Sequence, residues 1–136
     1  MTIEISTDPD RLDVDTVHHW LSTDAYWALG RPREVVETSI ANSLCFGAYD
    51  DGELVGFARL VTDRSTFAWL CDVYVAAAHR GQGVGTALMD AIDKELVGRH
   101  IKRALLVTTS SPDLYARYGY GPVDGGGTWM GRTYLD

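Results

Sequence analysis

Cysteine is scarce in this chain. The two present, Cys45 and Cys71, form no C-x-x-C pair and have no metal-ligand partners near them in sequence. A disulfide framework and a zinc ribbon are therefore excluded as organising devices, and both residues are expected to be reduced thiols in apolar strands. His18, His19, His79 and His100 lack zinc-site spacing, and no Ser-His-Asp or Cys-His arrangement can be drawn, so no metal is expected. Long apolar runs are missing too: Phe67 to Leu70 and Val73 to Ala78 are separated by Cys71-Asp72 and are far too short to span a bilayer. The start, Met1-Thr2-Ile3-Glu4-Ile5, has neither the basic beginning nor the apolar core of a signal peptide. The expectation is a cytoplasmic enzyme with no membrane partner. Basic residues are outnumbered twelve to nineteen, and a net charge of −7 disfavours nucleic acid, whose affinity rests on neutralised phosphates. The same charge mildly favours a cationic partner.

What is present is enough for one packed unit, 1–136: 46% of the 136 residues are hydrophobic, and no repeat or low-complexity tract interrupts them. Ile3 to Ser6 reads as a strand. Asp8-Pro9-Asp10 opens a helical region with Leu12, Val14, Val17 and Leu21 on one side, ended by Gly30. Pro32 suits the first turn of a second helix with Val35, Val36, Ser39 and Ile40 as its apolar stripe. Cys45 to Tyr49 and Glu53 to Val61 flank the hairpin signal Asp51-Gly52. Thr66 to Val75, nearly all apolar, predicts a strand buried on both faces at the centre of the sheet. Val84, Leu88, Ala91, Ile92 and Leu96 recur at helical spacing up to Gly98, with Asp90 and Lys94 paired outside. Arg103 to Thr109 predicts a strand, Ser111-Pro112 to Gly119 a short capped helix, and Thr128 to Tyr134 a last strand. The order β-α-α-β-β-β-α-β-α-β is α+β or mixed α/β.

Between the central strand and the long helix lies Arg80-Gly81-Gln82-Gly83-Val84-Gly85-Thr86. Glycines allow backbone N–H groups to approach an anion closely, and a helix start adds unpaired amides and a positive dipole end. No Ser, Asp or Asn stands immediately before Val84 to cap that helix. A dinucleotide fingerprint starting at Gly81 would need glycine where Thr86 stands, and the Gly-Lys-Ser/Thr of a nucleoside-triphosphate loop occurs nowhere. The expected cradle therefore comprises the backbone of residues 80–86, with the Arg80 guanidinium at its rim.

With its flanks, R-G-Q-G-V-G resembles the acyl-CoA-binding motif Q/R-x-x-G-x-G/A of the GNAT superfamily of N-acetyltransferases, and the chain looks like a small, single-domain, bacterial-type member. The resemblance runs from about Cys45 to Tyr120, with Leu114-Tyr115-Ala116-Arg117-Tyr118-Gly119-Tyr120 its second specific segment. It implies a twisted, mostly antiparallel sheet of roughly six to seven strands flanked by about four helices. It further implies acetyl-CoA as cosubstrate: the backbone of Val73, Tyr74 and Val75 beside the pantetheine arm, and that of Arg80, Gly81, Gln82, Gly83, Val84, Gly85 and Thr86 around the diphosphate. Tyr115, four residues before Gly119, matches the family's tyrosine that protonates the departing thiolate. The chain departs from the family at Ser110-Ser111-Pro112, where many members place Asn or Asp.

An amine with a pKa near 10.4 costs about 4.6 kcal/mol to deprotonate at pH 7, so a base is wanted. Asp72 is the leading candidate, with a purely structural aspartate as its alternative, and Asp63 ranks below it as a turn former. The acceptor site is expected at the elbow between the first two helices, walled by Tyr26 and Trp27 with Arg31 and Arg33 beside them and Trp69 contributed from the strand. There the arginines could hold a carboxylate. The function implied is transfer of acetyl to a primary amine by direct attack in a ternary complex. The alternative is a non-catalytic acyl-CoA-binding or sensing module on the same fold. Small-molecule amines lead the acceptor candidates, and monomer and homodimer both stay open.

Overall fold

The structure is a computed structural model and describes residues 2–123 and 125–135. Five strands form one sheet in the order β1-β2-β3-β4-β5: β1 (Ile3–Ser6), β2 (Leu44–Asp50), β3 (Glu53–Thr62), β4 (Phe67–Val75) and β5 (Arg103–Leu105). The first four pair antiparallel, and only β4 and β5 run parallel. Helix α3 (Val84–Gly98) packs on one face. Helices α1 (Val14–Thr23) and α2 (Arg33–Ala41) cover part of the other, and α4 (Pro112–Ala116) follows β5. The mixed α+β class and its four helices are as expected. The sheet is smaller than the expected six to seven strands, because β5 stops at Leu105 and no strand forms over Thr128 to Tyr134 among the described residues.

The hairpin signal Asp51-Gly52 holds: both residues have positive φ (49° and 83°), which matches the right-handed twist of β2 and β3. Helix α3 buries Val84, Leu88, Met89, Ile92 and Leu96, each worth about 1.5–3 kcal/mol on transfer from water. It sits so close to β3 that a Cβ at Gly56 would come within 2.9 Å of Val84 Cγ1. Its end differs from expectation. Gly98 is still helical, and His100 (φ 57°) makes the left-handed turn, with Ile101 N–H donating to Leu96 O and His100 N–H to Val97 O. Asp90 reaches the Tyr118 hydroxyl rather than Lys94.

The expectation that β4 is central and buried on both faces is overturned. It is fourth of five strands, and its side chains alternate: Ala68 and Leu70 enter the α3 core, whereas Phe67 and Trp69 are exposed on the opposite face. That face is roofed by α1 and α2 over only part of its area, through Val17, Leu21 and Val36; Val35 points outward. Apolar side chains on an uncovered sheet face mimic, in sequence, a strand buried twice.

Pairing of β3 with β4 slips once. Phe57 lies opposite Tyr74 but Arg59 opposite Cys71, so Asp72 and Val73 together face Ala58. This β-bulge inserts one residue, and Asp72 takes the left-handed conformation (φ 51°). Without the bulge, alternation from Ala68 and Leu70 would send Asp72 into the α3 core.

Candidate active site

Three segments converge where β4 and the chain after β5 part. The ladder between them ends at Trp69–Leu105, while β4 runs on to Val75. Ala76 N–H donates to Val55 O at 2.9 Å, so by period-two alternation the backbones of Val75 and Val73 face away from β3. Of the three strand residues expected at the pantetheine arm, Val73 and Val75 thus turn their backbone to the open edge. Tyr74 turns its backbone to β3 and its hydroxyl to Asp24 at 2.6 Å.

The glycine loop follows. Gly81 and Gly83 have φ of 75° and 87°, and a Cβ on either would meet nothing within 4 Å. Gly83 caps α3 without a side-chain acceptor, and the amides of Gly81 through Thr86 donate to no acceptor among the described residues. A row of unpaired amides over open space at a helix start fits a diphosphate. Arg80 stays about half exposed, and its guanidinium is already engaged, with Nε on Val75 O at 3.0 Å and a terminal nitrogen on Asp24 at 2.9 Å, over the Tyr74 ring. The side chain thereby braces the loop against β4, and Asp24, absent from the sequence expectation, is its anchor.

Helix α4 is docked onto the first turn of α3: Leu114 lies 3.8 Å from where a Gly85 Cβ would be, and the Tyr118 hydroxyl donates to Thr86 O. Gly119 (φ 89°) ends it as expected, with Tyr120 N–H donating to Tyr115 O. Ser111 occupies the N-cap position but makes no capping bond. Tyr115 is half-buried, its ring edge-on to Tyr120 at 6.3 Å. Burial, and after it the nearby Tyr26 hydroxyl, push its phenol above the ordinary tyrosine value.

The elbow between α1 and α2 bridges the gap. Trp27 Nε1 donates to Asp72 Oδ1 at 2.8 Å on β4, and the Tyr26 hydroxyl shares a 2.6 Å hydrogen bond with Thr109 beyond β5. Arg31 and Arg59 both donate to Asp72 Oδ2, at 2.8 and 2.9 Å. Asp72 is 4% exposed. Its burial would raise the carboxyl pKa, but the bonds from Arg31, Arg59 and Trp27 outweigh that and hold it below the usual carboxylate range. An anion so held is a poor proton acceptor. Trp69 lies on the same face, opposite Val61. Arg33 is elsewhere, paired with Asp15 and Glu37. Arg59 went unnoticed in the sequence, although one charged residue amid the apolar alternation of Val55 to Val61 is a readable signal.

Asp63 accepts from Ser65, Thr66 and Phe67 within its own turn, which lowers its pKa and occupies it structurally. Burial pushes the thiols of Cys45 and Cys71 up to about 12 and about 11, so both stay protonated at neutral pH. Among the described residues no cluster of metal-ligating side chains occurs, and no helix is long and apolar enough to cross a membrane. A groove of about 940 Å³ lies apart from the glycine loop. It runs beside β5 and α4, touching Tyr115 and Tyr120 but none of residues 80–86.

Similar proteins of known family point the same way as the fold. The family model described as acetyltransferase (GNAT) family matches residues 14–120. A Gibberella zeae protein named as an acetyltransferase is 32% identical over 133 residues, covering 83% of this chain and 75% of its own. A crystal structure of a GNAT-family acetyltransferase from Xanthomonas campestris pv. campestris superposes with a TM-score of 0.85 at 43% identity, covering 90% of this chain and 87% of that one. An acetyltransferase from Clostridium acetobutylicum, solved with acetyl-CoA, shares the fold at 15% identity with a TM-score of 0.72, covering 97% and 96%. With the family model matching most of its length, the chain belongs to the GNAT family of acetyltransferases.

Proposed function

We propose that this protein moves an acetyl group from acetyl-CoA to a primary amine by direct attack within a ternary complex. The observation that carries the reading is the run of unpaired amides from Gly81 to Thr86 over open space at the start of α3. Each such contact with an anion is worth about 0.3–2 kcal/mol, so several acting together hold the diphosphate. The backbone N–H of Val73, facing the open edge of β4, is placed to stabilise negative charge developing on the acetyl oxygen. When bound, the thioester supplies the activated acetyl carbon.

Tyr115 serves as the acid for the leaving sulfur. A thiol near 8.5 and an ordinary tyrosine near 10 make that transfer uphill by about 2 kcal/mol, and burial of Tyr115 adds to the cost while keeping the phenol protonated. Asp72 is assigned to positioning: it fixes Trp27, Arg31 and Arg59 as the floor of the acceptor site. The amine reacts from its small neutral fraction, its ammonium proton having left to water, and the second N–H proton, lost as the amide forms, restores the Tyr115 phenol through solvent. In consequence kcat/KM is expected to rise about tenfold per unit between pH 7 and 9, following amine deprotonation. Asp72, with its pKa lowered, is ionised throughout that range, and Tyr115, with its pKa raised, keeps its proton, so neither adds a limb. A plateau near neutrality in initial-rate measurements would show a protein base and refute this assignment.

Gly83→Val tests the cradle. A β-branched residue at φ 87° is strained, and its side chain enters the space above the amides. Titration calorimetry is expected to give CoA binding for the parent protein and at least about tenfold weaker binding for the variant at retained circular dichroism. Absence of any heat with the parent at millimolar CoA would sink the proposed function.

A further inference from the structure

One positive charge at the elbow goes unanswered. Asp72 is the only carboxylate among the described residues paired with Arg31 or Arg59, and both guanidiniums bond to the same oxygen. Neither cation is free in water: their side chains are 21% and 15% exposed. Arg59 spends a further nitrogen on Ser43 Oγ at 3.1 Å. Arg31 spends one terminal nitrogen on Asp72, and the rest of its fork donates to nothing among the described residues. Two half-buried cations sharing one anion form a site with an appetite for a second anion.

The surroundings specify the rest of the ligand. Trp69 and Val61 are cross-strand partners on the face that carries Arg59, and Phe67 is the next β4 residue on that face. All three remain between 36% and 40% exposed, and Trp27, at 43%, stands against Asp72. An apolar stripe thus runs from solvent to the arginines. We infer that the acceptor is an amine bearing its own carboxylate and an apolar body of aromatic size, with the carboxylate on the unused edge of Arg31 and the body along Trp27 and Trp69. This rests on the acetyl-transfer reading above. A carboxylate matches the single surplus charge, whereas a phosphate near −2 would leave a negative excess beside Asp72.

The test compares 4-(aminomethyl)benzoate with 4-(aminomethyl)benzamide, which share ring and reactive aminomethyl group and differ in charge at the far end. Release of CoA thiol is read as kcat/KM, and binding of each compound is read independently on the indole N–H resonance of Trp27. The carboxylate is expected to be preferred at least about tenfold in both readouts, and Arg31→Gln to bring the ratio close to one. Because the result is a ratio, partial misfolding of the variant does not imitate it. Thiol release with a ratio near one overturns the inference and leaves acetyl transfer standing. A binding preference for the carboxylate with no thiol release from either compound upholds the carboxylate subsite but overturns its role in holding an acceptor, and binding of neither compound overturns the inference.

Discussion

Replacing Tyr115 by phenylalanine is expected to cut turnover about a hundredfold or more while leaving CoA affinity within about twofold. The hydroxyl accounts for nothing in the fold: among the described residues it makes no hydrogen bond, and the ring keeps its packing against Tyr120 in either form. Tyr118 provides the contrast. Its hydroxyl bonds to Asp90 and Thr86 O, tying α4 to α3, so Tyr118→Phe acts on stability first. Steady-state kinetics with a saturating amine, set beside CoA titrations, separate these effects. Unchanged turnover in the Tyr115 variant would remove that residue from the mechanism and revive the reading of a binding module.

Removing Asp72 should be the most damaging change to the fold at the site. Asp72→Ala leaves the Arg31 and Arg59 guanidiniums half-buried without their anion, which costs about 3–5 kcal/mol when a buried pair is broken from one side. For a chain of this size that lowers the melting temperature by about 10 °C or more. Asp72→Asn keeps an acceptor for Trp27 and tolerates the positive φ, so it should lose less. The pH dependence has a definite sign. The folded-state pKa of Asp72 is depressed, so its contribution is complete above the unfolded value near 3.9 and is lost as pH falls below that value towards the folded one. If Asp72 were instead the base, the folded Asn variant would lose rate with no comparable loss in thermal midpoint, and the two measurements together decide the matter.

The apolar spacing in Val84 to Leu96 and the turn pair Asp51-Gly52 were legible because each depends on residues a few positions apart. So were the unpaired amides of residues 81–86 and the stop at Gly119: glycine at those places acts through its own backbone, and the cause lies at the position itself. The last strand failed for the opposite reason. Thr128 to Tyr134 has strand composition, but a strand needs an edge to pair with, and β5 extends only to Leu105. The partner of Arg80 was hidden in a similar way, since nothing beside it in sequence announces Asp24.

By itself, the order of residues settled what backbone and period settle: the long α3, the antiparallel hairpin, the loop of bare amides and the class of fold. Only the tertiary structure decided the fate of Asp72. One inserted residue in β4 turns its carboxylate from the core face towards Trp27, Arg31 and Arg59, groups up to 45 positions away. A charge in an apolar strand carries no record of which face it will meet or how many cations await it, because register and long-range ion pairing exist only after the sheet has formed.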